Sequence, residues 1–275
     1  LNVIIILKSN KNNKIIYILQ FTILTNPIMI ISDFDPSIYL LILLLGAFTA
    51  AFIQGAMGFG SGLVLNAFWL HILDPAHAIP LNIITCLLIS GAPMYKLRKT
   101  LDFSKLRPFI IFGIIGIPLG MLLLKLTDPK IFKVSIGVFL VFYALIMLIS
   151  KNFSIKVNTR KSIDSFIGLI SGFMGGFAAL GGLLPTIWVG LQKLPKNTQR
   201  GTYEPFIFIT SIMAVISFAI AGLYTLQMAY DLLKILPALI LGSWLGVKIY
   251  HVLNGEVFRR TILGLILTAG LVLLI

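Results

Sequence analysis

The sequence is poor in charge and in cysteine, and each shortage excludes a class of protein. Only 11% of its 275 residues are charged, whereas a soluble domain carries about 25%, so charged side chains are too few to cover a globular surface. The single cysteine, Cys86, cannot form a disulfide within the chain, and the three histidines show no metal-ligand spacing. We therefore expect no metal and no other cofactor.

Apolar residues make up 58% of the chain and fall into long runs. An apolar helix of about 20 residues spans the roughly 30 Å hydrocarbon core of a bilayer. The net charge of +13 does not indicate nucleic-acid binding, because Lys and Arg lie in short loops between the apolar runs, as the positive-inside rule expects. The sequence therefore predicts an all-α, polytopic transmembrane protein of the cell (inner) membrane.

The apolar spans suggest two halves joined by a short linker. We predict a first transmembrane repeat at 38–150, a cytoplasmic linker at 151–162 and a second repeat at 163–275. Residues 1–37 are either an N-terminal extension or carry an extra, weak span. The spans lie near residues 15–32, 38–54, 58–72, 79–95, 107–126, 131–150, 163–180, 181–192, 203–223, 232–252 and 257–275.

Two glycine-rich segments carry the internal repeat. FIQGAMGFGSGL (52–63) aligns with FMGGFAALGGLL (173–184) at an offset of 121 residues, which places Gly60 over Gly181. Farther along each half, two spaced glycines align in the same order, namely Gly116 and Gly120 with Gly242 and Gly246. The spacing of this second set is typical of close helix packing, and we expect packing there rather than a binding site.

The distribution of Lys and Arg orients the two halves. If each glycine-rich segment enters and leaves the membrane on the same side, 15 of the 22 cations lie on one side, in the loops 96–107, 151–161, 193–200 and 248–260. The number rises to 18 if the first span also exists, because Lys8, Lys11 and Lys14 then lie on that side too. A single crossing at each segment would move the last two loops outside, against the positive-inside rule. We therefore predict inverted repeats with Gly-broken or re-entrant helices, and outer loops at 72–78 and 224–231.

Gly-interrupted spans at matching positions of inverted repeats are typical of secondary transporters. Broken backbone at membrane depth is tolerated where it is buried in protein or lines a polar cavity. A half-helix N-terminus there offers free N–H groups and partial positive charge, which suit an anion. The alternative is close packing of the small-xxx-small type. The predicted lining of the site is Gln54, Gly55, Gly58, Gly60, Ser61, Asn82, Gly176, Gly181, Gly182, Thr202 and Tyr203.

Three stretches combine these glycines with a Pro-containing loop and a following Thr motif: FIQGAMGFGSGLVL, FMGGFAALGGLLP and LPKNTQRGTYEPF (194–206). Because of these three stretches, residues 38–275 resemble the TauE/SafE family of sulfite and organosulfur anion exporters. The resemblance implies two repeats and a small sulfur-containing anion as the substrate. The first half departs from the second, since Asn82 falls where Tyr203 stands at the offset of 121.

Glu204 and Arg200 are the candidate coupling residues. Glu204 lies in the first turn of a predicted span, where it is either a helix-start carboxylate at the cytoplasmic interface or a carboxylate that couples transport to H+. Arg200 either attracts anions at the mouth of a cavity or anchors the chain on the positive side. His71 and His77 flank the outer loop, and we expect them at the interface rather than in a proton relay.

The sequence favours a transporter over an enzyme. Ser61 stands in FGSG rather than in a GxSG motif, and no carboxylate is placed to orient a histidine toward it. We expect an ion-coupled secondary transporter that moves a small anion by alternating access, in contact with the lipid bilayer. The alternative is a non-transporting integral membrane protein that acts as an assembly or sensor partner.

Overall fold

Ten helices form the described part of the chain in a computed structural model. The structure describes residues 35–97, 103–149, 161–192, 196–249 and 255–274. The predicted span 15–32 and nearly all of the predicted linker lie outside these residues. The helices are α1 (Pro36–Met57), α2 (Ser61–Trp69), α3 (Pro75–Leu97), α4 (Phe103–Leu126), α5 (Pro129–Ile149), α6 (Lys161–Ala178), α7 (Leu183–Leu191), α8 (Lys196–Ile220), α9 (Leu226–Ile249) and α10 (Gly255–Val272).

Five helices of the described part are long and apolar enough to cross a membrane. They are α1, α5 and α9 in full, together with residues 106–126 of α4 and 201–220 of α8. Large apolar side chains on these helices point outward, such as Phe142 on α5 and Ile240 on α9, which are 62% and 67% exposed. Such an outer surface is suited to lipid rather than to water. The chain is a multi-pass α-helical membrane protein, which confirms the predicted fold class.

The second set of five helices follows the order of the first. Helices α1 and α6 end 121 residues apart, at Met57 and Ala178, and α3 and α8 begin 121 residues apart, at Pro75 and Lys196. The helices also pair by packing in a reciprocal way. Helix α1 packs on α9 while α6 packs on α4, and α3 and α5 pack on their counterparts α8 and α10. Such reciprocal pairing, in which the first helix of each set packs on the fourth helix of the other set, is expected when the two sets are related by a two-fold axis.

Glycines bring α4 and α6, and likewise α1 and α9, into backbone contact. A Cβ at Gly116 of α4 would lie 2.6 Å from the amide nitrogen of Phe173 on α6. A Cβ at Gly246 of α9 would collide with the carbonyl oxygen of Phe52 on α1. Gly120 and Gly242 make contacts of the same kind. Because no side chain separates the helices at these points, the prediction that these glycines serve helix packing is confirmed.

Helices α1 and α6 run in opposite directions through the bundle. Successive backbone contacts advance in the same sense along α1 and α9 and along α4 and α6, so each of these pairs is parallel. The end of α4 lies beside the end of α8, where Lys125 Nζ is 3.5 Å from the carbonyl oxygen of Ala221, and α9 begins just after this point. Helices α4 and α9 are therefore antiparallel. The inverted repeat stays a prediction, and this arrangement supports it.

Two helices begin earlier than the apolar pattern predicts. Helix α8 begins at Lys196 and α9 at Leu226, whereas the predicted spans begin at 203 and 232. Glu204 lies two turns into α8, in the first turn of its membrane-spanning part 201–220, and only 3% of the residue is exposed. Asp231 lies within α9 rather than in an outer loop and is fully buried. Hydropathy misses these turns because it treats a polar side chain as the end of a span, even where the bundle supplies partners.

Candidate functional site

The first glycine-rich segment breaks a helix and turns it back on itself. Gly58 is left-handed (φ 82°) and its N–H donates to the Gln54 carbonyl at 2.7 Å, which closes the end of α1. Gly60 is also left-handed, with φ 97°. Helix α2 then returns beside α1, where the indole N–H of Trp69 donates to the Leu43 carbonyl at 3.2 Å. The segment is thus the turn of a helical hairpin.

The second segment makes a matching break with a different residue. Ala179 has φ 57°, which makes it the one non-glycine residue with a positive φ in the described part. An L-residue in this region costs about 1–2 kcal/mol. The N–H of Ala179 donates to the Gly175 carbonyl at 3.0 Å and so caps α6. Helix α7 folds back as α2 does, and the Trp188 indole N–H donates to Asp164 Oδ1 at 2.8 Å.

The two breaks touch each other in the middle of the bundle. A Cβ at Gly62, in the first turn of α2, would collide with the carbonyl oxygen of Ala179. The side-chain amide of Asn66 donates to the Ala178 carbonyl at 2.7 Å. Backbone groups that the second break frees therefore find partners in the first hairpin, as buried polar groups require. Tyr203 of α8 reaches the first break, where its hydroxyl donates to the Met57 carbonyl at 3.2 Å.

A cavity with about 600 Å³ of empty space, counted with its open mouth, lies between the breaks. Both glycine-rich segments contribute to its wall, and α3, α4 and α8 complete it. The polar residues among those that line it are Gln54, Ser61, Ser171, Thr210 and Ser211. The glycines that line it are Gly60, Gly62, Gly172, Gly175, Gly181 and Gly182. A Cβ added at Gly62, Gly172 or Gly182 would point at a neighbouring helix or at the second break, so these glycines allow close packing of the wall as well as lining the cavity.

The N-termini of α2 and α7 both open onto this cavity. Gly60 and Gly182 are their N-cap residues, and neither helix has a side chain that caps it by hydrogen bonding. At α7 the first N–H, that of Leu183, donates to the Leu180 carbonyl at 3.2 Å, so the later N–H groups of its first turn are the ones left for a ligand. The first N–H groups of a helix have no partner within the helix and carry about +0.5 elementary charge between them. No Asp, Glu, Lys, Arg or His is among the described lining residues. The helix ends therefore dominate the electrostatics of the cavity.

A hydrogen-bonded chain of buried side chains holds the wall from behind. Ser61 Oγ lies 3.3 Å from Cys86 Sγ, and the Cys86 thiol donates to Asn82 Oδ1 at 3.1 Å. The Asn82 side-chain amide donates to Asn66 Oδ1 at 2.9 Å and to the Gly62 carbonyl at 3.2 Å. This chain joins α2, α3 and, through Asn66, the second break. It fixes the start of α2 without using the N–H groups that face the cavity.

The structure brings five of the predicted site residues together around the cavity, namely Gln54, Gly60, Ser61, Gly181 and Gly182. Gly55 and Gly176 instead face the neighbouring helices, where a Cβ would meet the Ser243 and Ile117 carbonyl oxygens of α9 and α4. The Gly58 carbonyl accepts the Gln54 side-chain amide at 2.9 Å. As contacts to a ligand, all of these assignments stay predictions.

The remaining predicted residues lie behind the cavity or outside the described side chains. Asn82 belongs to the hydrogen-bonded chain, and Tyr203 supports the first break. Thr202 is half-buried and Glu204 is buried on α8, and neither lines the cavity. Arg200 lies on α8, but its side chain is outside the described part. Their roles in binding and coupling stay predictions.

Sequence reasoning misses Cys86 as a wall residue and Asp231 as a buried acid. Cys86 follows Asn82 by one helical turn, so helical periodicity from a predicted site residue could have found it. Asp231 lies in an apolar helix, and an acid at membrane depth is by itself a functional signal. The hydropathy pattern hides this signal because it ends the outer loop at the acid.

These observations define the class of the protein. A multi-pass bundle in which two broken helices meet at a cavity, with a few polar side chains in a largely apolar wall, is an architecture typical of membrane transporters. Residues 42–273 match the family model described as sulfite exporter TauE/SafE, and the chain belongs to this family. The probable membrane transporter protein YunE of Bacillus subtilis (strain 168) is 25% identical over 197 residues, covering 63% of this chain and 69% of the relative. No solved structure matches the chain.

Proposed function

We propose that the protein is a secondary transporter that moves a small sulfur oxyanion, such as sulfite, across the cell membrane by alternating access. The observation that carries the proposal is the convergence of the α2 and α7 N-termini on one cavity. A helix N-terminus binds anions through its free N–H groups and its dipole. The name of the family supplies the sulfur chemistry.

The charge of the site favours a singly charged anion. Each helix N-terminus contributes about half a positive charge, so two of them balance about one negative charge without a lysine or arginine in the wall. The hydroxyls of Ser171 and Thr210 already donate within their own helices, to the carbonyls of Ile167 and Phe206. The Ser61 hydroxyl likewise donates to Cys86 Sγ when the thiol donates to Asn82. One N–H of the Gln54 amide donates to the Gly58 carbonyl, and the other is left for a ligand. Backbone N–H groups and Gln54 are therefore the proposed anion ligands, and Ser61 would have to exchange its partner to join them.

The proposed coupling involves Glu204, with Arg200 as an anion-attracting residue at the cavity mouth. Glu204 precedes Ile207 of the cavity wall by three residues on α8, so it lies on the adjoining turn of the same face. A buried carboxylate that binds H+ would couple proton entry to anion movement. Replacing Glu204 by Gln should reduce the pH dependence of flux. An unchanged dependence would exclude Glu204 as the coupling group.

Ligand binding to purified protein is the decisive experiment. Sulfite, thiosulfate, sulfate, taurine and acetate are each added while the midpoint of thermal unfolding, Tm, is measured. A ligand at 100 times its Kd stabilises the native state by about 2.7 kcal/mol. We expect a sulfur oxyanion to raise Tm in the wild type, and Gly181→Val, which places a side chain in the cavity wall against Gly175 of α6, to abolish the rise.

Gly190→Val is the matched control. Gly190 lies on α7 of the same hairpin and is exposed, and a Cβ added there would meet no other atom within 4 Å. This variant should keep the ligand-induced rise. Uptake of labelled sulfite into proteoliposomes then separates a transporter from a sensor that binds and does not transport. The absence of any ligand-induced rise in the wild type would contradict the anion site.

A further inference from the structure

A fully buried carboxylate lies away from the cavity, at the starts of three helices. Asp231 of α9 is 0% exposed. Its Oδ2 accepts the Tyr39 hydroxyl of α1 at 2.8 Å and lies 3.2 Å from His77 Nε2 of α3. Its Oδ1 lies 3.3 Å from the Gln227 side-chain amide and 3.4 Å from Lys234 Nζ, both on α9 itself.

This cluster joins the two sets of helices. Tyr39 and His77 belong to the first five helices, whereas Asp231 belongs to the second five. Helices α1 and α3 lead from the cluster to the cavity, which Gln54 and Cys86 line. At 1.5 Å per residue, Tyr39 lies about 22 Å along α1 from Gln54. A change at the cluster can therefore move the wall of the cavity through two rigid helices.

The chemistry of the cluster selects a proton as its ligand. Tyr39, Gln227 and Lys234 all offer donors to the carboxylate, and a metal cation would need oxygen acceptors in their place. Among the described residues packed around Asp231, the titratable groups that face it are Tyr39 from α1, His77 from α3 and Lys234 from α9. Of these, histidine is the side chain that ordinarily changes charge between pH 5 and 8.

The partners of the carboxylate are partly exposed, whereas the carboxylate itself is not. The side chains of His77 and Lys234 are 15% and 47% exposed at the surface of the bundle, and that of Asp231 is 0% exposed. A proton would reach the pair through the exposed edge of the imidazole ring, near the start of α3. A protonated imidazole donates a charge-assisted hydrogen bond to the carboxylate, which is stronger than a neutral one.

We propose that the His77–Asp231 pair is a proton-binding site that locks the starts of α1, α3 and α9 together. Binding of one proton converts the hydrogen bond between α3 and α9 into an ion pair. Loss of that proton weakens the link between α3 and the pair α1–α9 at this end. The proton site goes beyond the proposed anion transport, and only its effect on flux rests on that function.

The pH dependence of Tm tests the site without any transport assay. His77→Gln keeps a side-chain N–H donor but cannot take up a proton. When the pH falls from 8 to 6, we expect the Tm of the wild type to rise by about 2–4 °C more than that of His77→Gln. A difference of this size corresponds to about 1 kcal/mol of stability in a chain of this size. Equal pH dependence in the two proteins would overturn the proposal.

Two further variants separate a proton site from a merely structural contact. Tyr39→Phe removes a donor that does not titrate in this range, so it should lower Tm equally at pH 6 and pH 8. His71→Gln changes a half-buried histidine of the same turn region that does not face Asp231. It should not reduce the gain in Tm on acidification. A reduction equal to that of His77→Gln would assign the effect to histidine content rather than to the pair.

Sulfite uptake into proteoliposomes then tests the role of the site in transport. We expect wild-type uptake to differ between external pH 6 and pH 8, and we expect a smaller ratio in His77→Gln. The ratio that remains in the variant reflects Glu204 and the conversion of hydrogensulfite to sulfite over this range. If the wild type takes up no sulfite, the proposed function fails while the Tm result still decides the proton site. If the wild type and His77→Gln show equal pH ratios, the lock does not act in transport.

Discussion

The contact between the two helix breaks should tolerate no side chain at Gly62. The backbone of Gly62 is in an ordinary helical region, because it is absent from the residues with positive φ. Alanine is therefore allowed there by conformation. Space forbids it, since the new Cβ would overlap the carbonyl oxygen of Ala179 at a separation that real Cβ atoms essentially never show. The predicted effect of Gly62→Ala is steric alone.

The size of the effect follows from what must move. The colliding atom belongs to the backbone of the second break rather than to a flexible side chain, so the two hairpins must separate. Overpacking of this kind costs about 1–3 kcal/mol, and the gain in helix propensity offsets at most about 1 kcal/mol of it. At about 2–4 °C per kcal/mol in a chain of this size, Tm should fall by several degrees. Sulfite binding should weaken with it, because the same separation opens the cavity.

Gly190→Ala provides the matched control for this prediction. It makes the same substitution in a short helix of a hairpin, at a position with nothing within 4 Å. Its Tm should equal or exceed that of the wild type, since alanine favours the helix and meets no neighbour. Both variants are compared by thermal unfolding in the same detergent, with and without sulfite. If Gly62→Ala matched Gly190→Ala in both measurements, the breaks would not be in contact as described.

Three other substitutions probe the same region by different physical effects. Gly60 has a left-handed φ of 97°, so Gly60→Ala should destabilise the native state by about 1–2 kcal/mol and lower Tm accordingly. Gly60→Asn should lose less stability, since Asn tolerates that region better. Asn82→Leu should cost about 1–3 kcal/mol, because Asn66 Oδ1 loses its donor. Burial and the charge of Lys133 lower the pKa of His71, so the native state resists protonation there and loses stability as the pH falls below the ordinary histidine pKa. His71→Gln should therefore lose less Tm than the wild type between pH 7 and pH 5.

The positions of the two helix breaks can be predicted from the sequence, because glycine adopts backbone conformations that end a helix. Gly58 and Gly60 adopt left-handed conformations that other residues avoid, and they lie where the alignment of the halves places a break. The offset of 121 residues predicts the second break although Ala179 takes the left-handed position. The helix ends on either side follow from the same pattern, and α2 and α7 are short because each turns back inside the bundle.

The direction in which each glycine faces could not be read from the sequence. Gln54 and Gly55 are neighbours, yet Gln54 lines the cavity and Gly55 packs on α9. Successive helical residues point about 100° apart, and the phase of a helix is set by tertiary packing that no local pattern records. The same holds for Asp231, whose partners Tyr39 and His77 come from helices more than 150 residues away in the sequence.

The glycine contacts also bear on how alternating access would proceed. Helices α1 and α9 interlock through backbone atoms at Gly55, Gly242 and Gly246, and α4 and α6 interlock in the same way at Gly116 and Gly172. Sliding along such an interface would force carbonyl groups past one another, so we expect each pair to move as a rigid body. The two breaks are also tied together, by Asn66 and Ala178.

Because each rigid pair contains one helix from either set, motion cannot separate the first five helices from the last five as blocks. In the proposed alternating access we expect the pair α1–α9 to move relative to α4–α6, which would open the cavity beside Gln54 or beside Ser171 in turn.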